Sequence, residues 1–312
     1  MGTTANERTR VEYAAVICAC VDALQVAGDC DAAELVAAMG CKLELAGLAG
    51  RVSRAAVDRY TWSVGAVSLS AGRLLSAPGK MPGASFSLPA GQSCPGAAVA
   101  QRDAERDGVG DETTCVVCYA KGGFYTFKST REALAARFAF VRESLRVDAG
   151  ATFVAAMVVA IACEVARTGE PCFRVHDAGD VYSAAYAACW ARVARALPGV
   201  RFWVPTREYV RPVMRAAMRD LANLANVAVR PSAIFRDGSV PDLTREGFAP
   251  GSGVAPSVDA VRPDTWICPA TVAGNTPTCE ANGCRMCWAK DGAPVQGFPW
   301  TARALPVVYI AH

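Results

Sequence analysis

Two groups of cysteines stand in loop-forming sequence with the spacing of metal ligands. The first is Cys94-Pro-Gly, followed after a polar stretch by Cys115-Val-Val-Cys118-Tyr-Ala. A C-x-x-C pair holds one ion because its two intervening residues bring both sulfurs to one side of a turn. With Cys94 as third thiolate, one coordination position stays open for a substrate; the alternative is an isolated redox dithiol. The second group is Cys268, Cys279, Cys284 and Cys287, set among Gly274, Asn275, Pro277 and Gly283. Four cysteines in so short a polar segment predict a closed tetrahedral zinc site or a cubane iron–sulfur cluster. Spacing does not choose between zinc and iron, nor between one joint site and two.

A third constellation is His176-Asp177-Ala178-Gly179-Asp180. Two carboxylates beside one of only two histidines suit a nucleophile and a general acid–base pair, and Gly179 permits the tight turn. The competing role for Asp180 is to cap the next helix. Arg174, Arg207, Arg230 and Arg236 recur near expected strand ends, with Tyr119, Trp203 and Trp288 near the same mouth. Of these, Arg207, Arg230, Trp203 and Tyr119 are the candidate substrate binders, able to hold a phosphate backbone and stack a base. A solvated charged rim with aromatic packing is the plainer alternative.

Composition sets bounds on this chemistry. The chain has 312 residues, 52% hydrophobic and 20% charged, with a net charge of +3, which describes an ordinary globular protein without a dominant field. Arginine outnumbers lysine 27 to 5, which suits polyanion binding and is equally a mark of GC-rich coding. The polar N-terminus carries no secretory pattern, and the apolar run from Phe153 to Cys163 is too short to span a bilayer. A reducing cytoplasmic setting, with no membrane partner, is therefore expected, and with it thiols or metal ligands rather than disulfides. Cys18, Cys20, Cys30, Cys41, Cys163, Cys172 and Cys189 mostly lie in Ala/Val-rich segments and read as small buried hydrophobes.

The elements that must position these groups follow from periodicity. Residues 1–62 read as a small helical N-terminal region, with Asp31 capping and Gly40 ending one helix. Residues 63–312 read as one α/β domain. Short strands and turns lead into Cys94, and the segment from there to Cys115 reads as a polar surface excursion. REALAARFAFVRESLRV places Leu134, Phe138, Val141 and Leu145 on one helical face, and ATFVAAMVVAIACEVART is a buried helix. Then CFRV, RFWVPT and NVAVRPS alternate as strands with helices SAAYAACWARVARAL and VMRAAMRDLANL, and ALPVVYIA adds a last strand. This βαβαβ run predicts parallel strands and a barrel-like α/β architecture whose site lies at the carboxyl ends of the strands.

Five landmarks, SLPAGQSCPGA, CVVCYAKGGFY, FRVHDAGDVYS, RFWVPTRE and CPAT…CRMCW, together resemble the bacteriophage family called gene product eighty-eight, from about Ser68 to Trp288. The resemblance implies a phage protein working inside a bacterial host cell. It extends distantly to two enzyme classes. In the queuine-type guanine transglycosylases, which are TIM barrels with a cysteine zinc site, Asp177 or Asp180 would attack the sugar carbon and displace guanine. The four-cysteine tail would then be structural zinc, although the compact C-x-C-x-x-C…His pattern of the tRNA enzymes is absent. In the radical S-adenosylmethionine enzymes, Cys94, Cys115 and Cys118 would hold a four-iron cluster and the tail an auxiliary one, although the compact C-x-x-x-C-x-x-C spacing is absent. A zinc-stabilised DNA-binding or host-interaction protein is the third implication. The leading expectation is a TIM-barrel-like enzyme exchanging guanine for a 7-deazaguanine base in DNA.

Overall fold

A computed structural model describes residues 61–311. The expected N-terminal helices, with Asp31 and Gly40, lie outside the described residues. The described chain opens with a hairpin, β1 (Thr61–Val64) against β2 (Val67–Ser70), whose Trp62, Val64 and Leu69 are buried. Next come β3 (Ser85–Phe86) and helix α1 (Pro95–Arg106). The stretch after Cys94, expected to be an irregular excursion, thus begins as a helix, with Pro95 pre-set at its first position.

Two long helices follow, α2 (Lys128–Asp148) and α3 (Ala151–Thr168). Their tight junction is satisfied from within. Asp148 accepts from the Thr152 N–H at 3.0 Å and Ser144 Oγ from the Phe153 N–H at 3.0 Å, which caps α3. Every residue of α3 from Phe153 to Ile161 is buried, as its continuous apolar run predicts. Each large side chain hidden there contributes about 1.5–3 kcal/mol.

The alternating region forms as expected: β4 (Cys172–Val175), α4 (Ala184–Ala196), β5 (Arg201–Thr206), α5 (Pro212–Ala222) and β6 (Val227–Pro231). Strands β3, β4, β5 and β6 pair in that order, all parallel. A second parallel sheet has the order β7 (Ser252–Ala255), β9 (Val307–Ile310), β8 (Trp266–Ile267). A single parallel bridge, Ser232 to Ser252, links the two. The expected parallel α/β architecture is present, while the TIM-like barrel is not confirmed: among the described residues there is no closed ring of eight strands. The cysteine-rich tail follows β8 as turns and short 3-10 segments, so no helix is available to complete further β–α units there.

The four-stranded sheet has two unlike faces. Phe173, Val175, Phe202, Val204, Val227 and Val229 pack with α3, α4 and α5 in the main core, around Trp190, Phe86 and Phe153. The alternate residues Cys172 and Trp203 pack instead with Cys268, Cys284, Met286, Cys287 and Trp288 of the tail. Strand alternation sends neighbours to opposite faces, so the helices cover one side and the tail the other. No helix among the described residues is long and apolar enough to cross a membrane.

The exits of β3 and β4 are drawn together at Gly179, where φ is +85°. A Cβ there would stand 2.5 Å from Ser93 Oγ and 2.9 Å from the Leu88 carbonyl oxygen. Gly179→Ala is expected to cost about 1–3 kcal/mol, read as a lower urea midpoint. An unchanged midpoint would contradict this close approach.

Candidate functional site

Backbone stitching at the carboxyl edge of the four-stranded sheet builds the site. Leu88 N–H donates to the Ala178 carbonyl at 3.0 Å, Asp180 N–H to Ser93 at 3.1 Å and Ser232 N–H to Thr206 at 2.8 Å. The exit of β3 is thereby fixed to that of β4 and the exit of β5 to that of β6, and the Arg207 N–H, donating to Asp180 at 2.8 Å, joins the two pairs. The segment carrying Cys115 is tied to the last exit, where Thr114 N–H donates to the Ile234 carbonyl at 2.7 Å and Thr113 bridges to Phe235. These ties bring the Cys94 thiol within electrostatic reach of Cys118, Cys115 and Asp180. Burial, then Asp180, pushes the Cys94 thiol up to about 12. The three cysteines are half-buried at the mouth, as an open site requires.

The carboxylates of the HDAGD turn are placed differently from one another. Asp180 is buried, and its two oxygens accept from the backbone N–H groups of Val181, at 2.7 Å, and Arg207, at 2.8 Å. It is not the helix cap that sequence allowed: Ser183 caps α4, accepting from the Tyr186 N–H at 3.3 Å. Burial raises the Asp180 carboxyl above its ordinary range, against those hydrogen bonds. Asp177 is half-buried and accepts from Tyr125 Oη at 2.7 Å and Ser85 Oγ at 3.3 Å, while its carbonyl takes the Tyr119 hydroxyl. His176 turns away from both. At φ +69° its ring enters the aromatic core against Phe86, Tyr186 and Trp190, where burial lowers it to about 3 and keeps it neutral.

The proposed substrate binders divide as well. Tyr119 stands 59% exposed at the mouth, and Arg207 lies half-buried there, donating Nε to the Ala233 carbonyl at 2.9 Å. Trp203 and Arg230 lie on the tail side of the sheet, Trp203 edge-on to Trp288 with ring centroids 5.3 Å apart. Arg174 connects the two regions. Its guanidinium lies 4.3 Å over the Trp203 ring and donates to the Tyr119 hydroxyl at 3.3 Å.

In the tail, Cys268, Cys279, Cys284 and Cys287 are all buried and line one small cavity with Trp266, Met286, Trp288 and Val307. Burial pushes Cys279 and Cys287 up to about 12, with neighbouring thiols adding to the rise. Cys287 Sγ lies 3.4 Å from Tyr309 Oη. Among the described residues, no three His, Cys, Asp or Glu side chains already stand in the arrangement of a metal site. The molecule therefore presents two gatherings of thiols, one open and one enclosed. Four cysteines line one cavity, and Cys94, Cys115 and Cys118 lie within electrostatic reach at the mouth; these are the residues that could hold a thiolate-bound metal.

Sequence reasoning understated Tyr125 and Glu208. Tyr125 orients Asp177; its signal was an aromatic residue close after the C-x-x-C. Glu208 is fully buried, accepting from the Gly96 N–H at 2.7 Å and from Arg211 at 2.6 Å. It thus closes the start of α1, one residue beyond the turn that carries Cys94.

A family profile described as Gene product 88 matches residues 65–290. The "Gene 88 protein" of Mycobacterium phage L5 is 32% identical over 144 residues, 45% of this chain. That match spans 54% of the phage protein. No solved structure matches. The chain belongs to the Gene product 88 family.

Burial and the charge of Asp180 push Glu208 up to about 7 in spite of Arg211. The native carboxyl then holds its proton to higher pH than the unfolded one, so stability falls as pH rises from the ordinary glutamate range to about 7. Relative to Glu208→Gln, wild type is expected to lose about 1–3 kcal/mol across that window, measured by urea unfolding at a series of pH values. A relative gain with rising pH would contradict the placement of Glu208.

Proposed function

We propose that this member of the Gene product 88 family is a nucleic-acid-modifying metalloenzyme. Its reaction centre would be held by Cys94, Cys115 and Cys118. The observation that carries the reading is that Cys94, whose turn is bonded to the carboxyl edge of a parallel sheet, lies within electrostatic reach of both cysteines of the C-x-x-C pair. The intervening stretch folds as α1 and a return segment, so sequence separation does not keep the thiols apart. Three thiolates at a mouth fit a four-iron cluster, which when bound supplies one open iron for a ligand such as the methionine end of S-adenosylmethionine.

Between the two chemistries that sequence raised, the side chains favour the iron–sulfur one. Base exchange needs a carboxylate free to attack a sugar carbon and a partner for the proton. Both Asp180 oxygens are engaged by backbone N–H groups, and His176 is in the core. Asp177 alone is half-exposed, and Tyr125 and Ser85 hold it. In the iron–sulfur reading, Asp180 fixes Arg207 and the Cys94 turn in place. Tyr119 and Asp177 face what enters the mouth.

The partner is argued from the surface around that mouth. Val116, Val117, Tyr119, Phe124 and Phe127 are exposed within one short segment, and Phe124 reaches 78% exposure. Exposed Lys121, Lys128 and Arg131 interleave with them. Rings that stack bases beside cations that meet phosphates suit a single-stranded nucleic acid.

Anaerobic purification with iron and sulfide analysis tests the centre. A brown protein is expected, losing about four iron atoms with Cys94→Ser, Cys115→Ser or Cys118→Ser. A colourless protein holding only zinc, or iron content indifferent to Cys94, would contradict it. Independently, Phe124→Ala with Phe127→Ala should weaken binding of a single-stranded oligonucleotide at least about fivefold in fluorescence anisotropy. Equal affinity would remove that surface from the account.

A further inference from the structure

Three arginines border the enclosed cysteines, and their charges are answered differently. Arg285 pairs with Glu170 at 2.8 Å and Glu280 at 2.5 Å. Arg174 has Asp177 within electrostatic reach. Arg230, wholly buried on β6, forms no ion pair among the described residues and gives its guanidinium to five backbone carbonyls. Nε donates to Cys287 at 2.9 Å. One terminal nitrogen donates to Met286 at 2.6 Å and Ala289 at 3.3 Å, the other to Pro250 at 2.6 Å and Leu305 at 2.9 Å. Around it stand Cys287, Tyr309, Asp291 and Cys284. Of these, Asp291 is exposed and accepts instead from the Ala304 N–H at 2.7 Å.

A buried guanidinium without a counter-anion is costly, because carbonyl dipoles replace only part of its hydration. Four thiols on one cavity offer the missing anion. Binding of a divalent ion balances as M2+ + 4 RSH → [M(SR)4]2− + 4 H+, and the product is a buried dianion. We infer that the four-cysteine cavity takes a metal centre with a net charge of about −2 and that Arg230 is its counter-charge. The same contacts make Arg230 a positioning residue. By gathering the carbonyls of Met286, Cys287 and Ala289 it holds the turn that aims Cys287 into the cavity. This gives Arg230 a role away from the mouth, where sequence had placed it as a substrate binder. The inference rests on the tail cysteines being metal ligands and is independent of the chemistry at the mouth.

The test uses the full chain carrying Cys94→Ser, Cys115→Ser and Cys118→Ser, so that the proposed centre at the mouth is removed and the tail group is kept, with zinc and cobalt(II) as probes. Zinc loading at neutral pH should release about four protons per chain, and cobalt should show the intense thiolate charge-transfer band of a four-sulfur tetrahedral site. Arg230→Met should weaken cobalt binding by about tenfold or more, and Arg230→Lys, which keeps the charge, should recover most of it. Proton release uses native Arg230, so it decides the charge of the centre even where Arg230→Met does not fold. Release of two protons or fewer overturns the dianionic centre. No metal uptake at all overturns the tail as a metal site, leaving the mouth reading untouched. Four protons with full affinity in Arg230→Met overturns the counter-charge alone.

Discussion

A parallel sheet must hide both faces from water, and here the two are covered by different materials. Helices α3, α4 and α5 bury Phe173, Val175, Phe202, Val204, Val227 and Val229 through ordinary apolar packing. Among the described residues, the other face has no helix to cover it. An irregular tail does so, and irregular backbone buried against a sheet leaves carbonyls that need donors. The sheet face and tail supply them. Arg230 satisfies five carbonyls, Trp288 donates to the Phe173 carbonyl at 2.9 Å, and Arg201 to Pro294 at 2.6 Å. The cysteines of the tail are buried as a consequence of this arrangement, and so is the charge that faces them.

The same division orders the chemistry. At the carboxyl edge the strand exits are stitched by backbone hydrogen bonds, and the side chains left over, Cys94, Cys115, Cys118, Asp177 and Tyr119, share the mouth. Behind the strands lies the enclosed four-cysteine cavity. Arg174 spans the short distance between them, stacked on Trp203 at one end and bonded to Tyr119 at the other. A change in charge in either region would therefore reach the other through one residue, with Tyr119, Asp177, Tyr309 and Cys287 all within its electrostatic range.

Much of this was legible in the sequence where a repeat or a spacing spoke without help from distant residues. The run from Ala151 to Thr168 is apolar on all sides and became a buried helix; CFRV, RFWVPT and NVAVRPS became parallel strands separated by helices. The grouping of Cys268, Cys279, Cys284 and Cys287 held as a shared cavity. What failed to show depends on tertiary placement. His176 reads as catalytic in a row of polar residues, yet a positive φ swings it into the aromatic core. Arg230 and Trp203 sit in strands pointed at the mouth, yet strand alternation sends their side chains to the tail. Helix α1 was missed because its polar face dominates its composition, although Pro95 after Cys94 marked its start. Barrel closure could not be read from one βαβαβ run, because an open parallel sheet satisfies that pattern equally well.

The central claim is that cysteines distant in sequence hold inorganic ions in the folded chain. Native mass spectrometry of the full chain, isolated without oxygen or chelator, weighs that claim directly. The account predicts a folded charge-state distribution at a mass above the bare polypeptide, by the metal and sulfide bound less the thiol protons lost. A compact, folded chain at the bare polypeptide mass would contradict it.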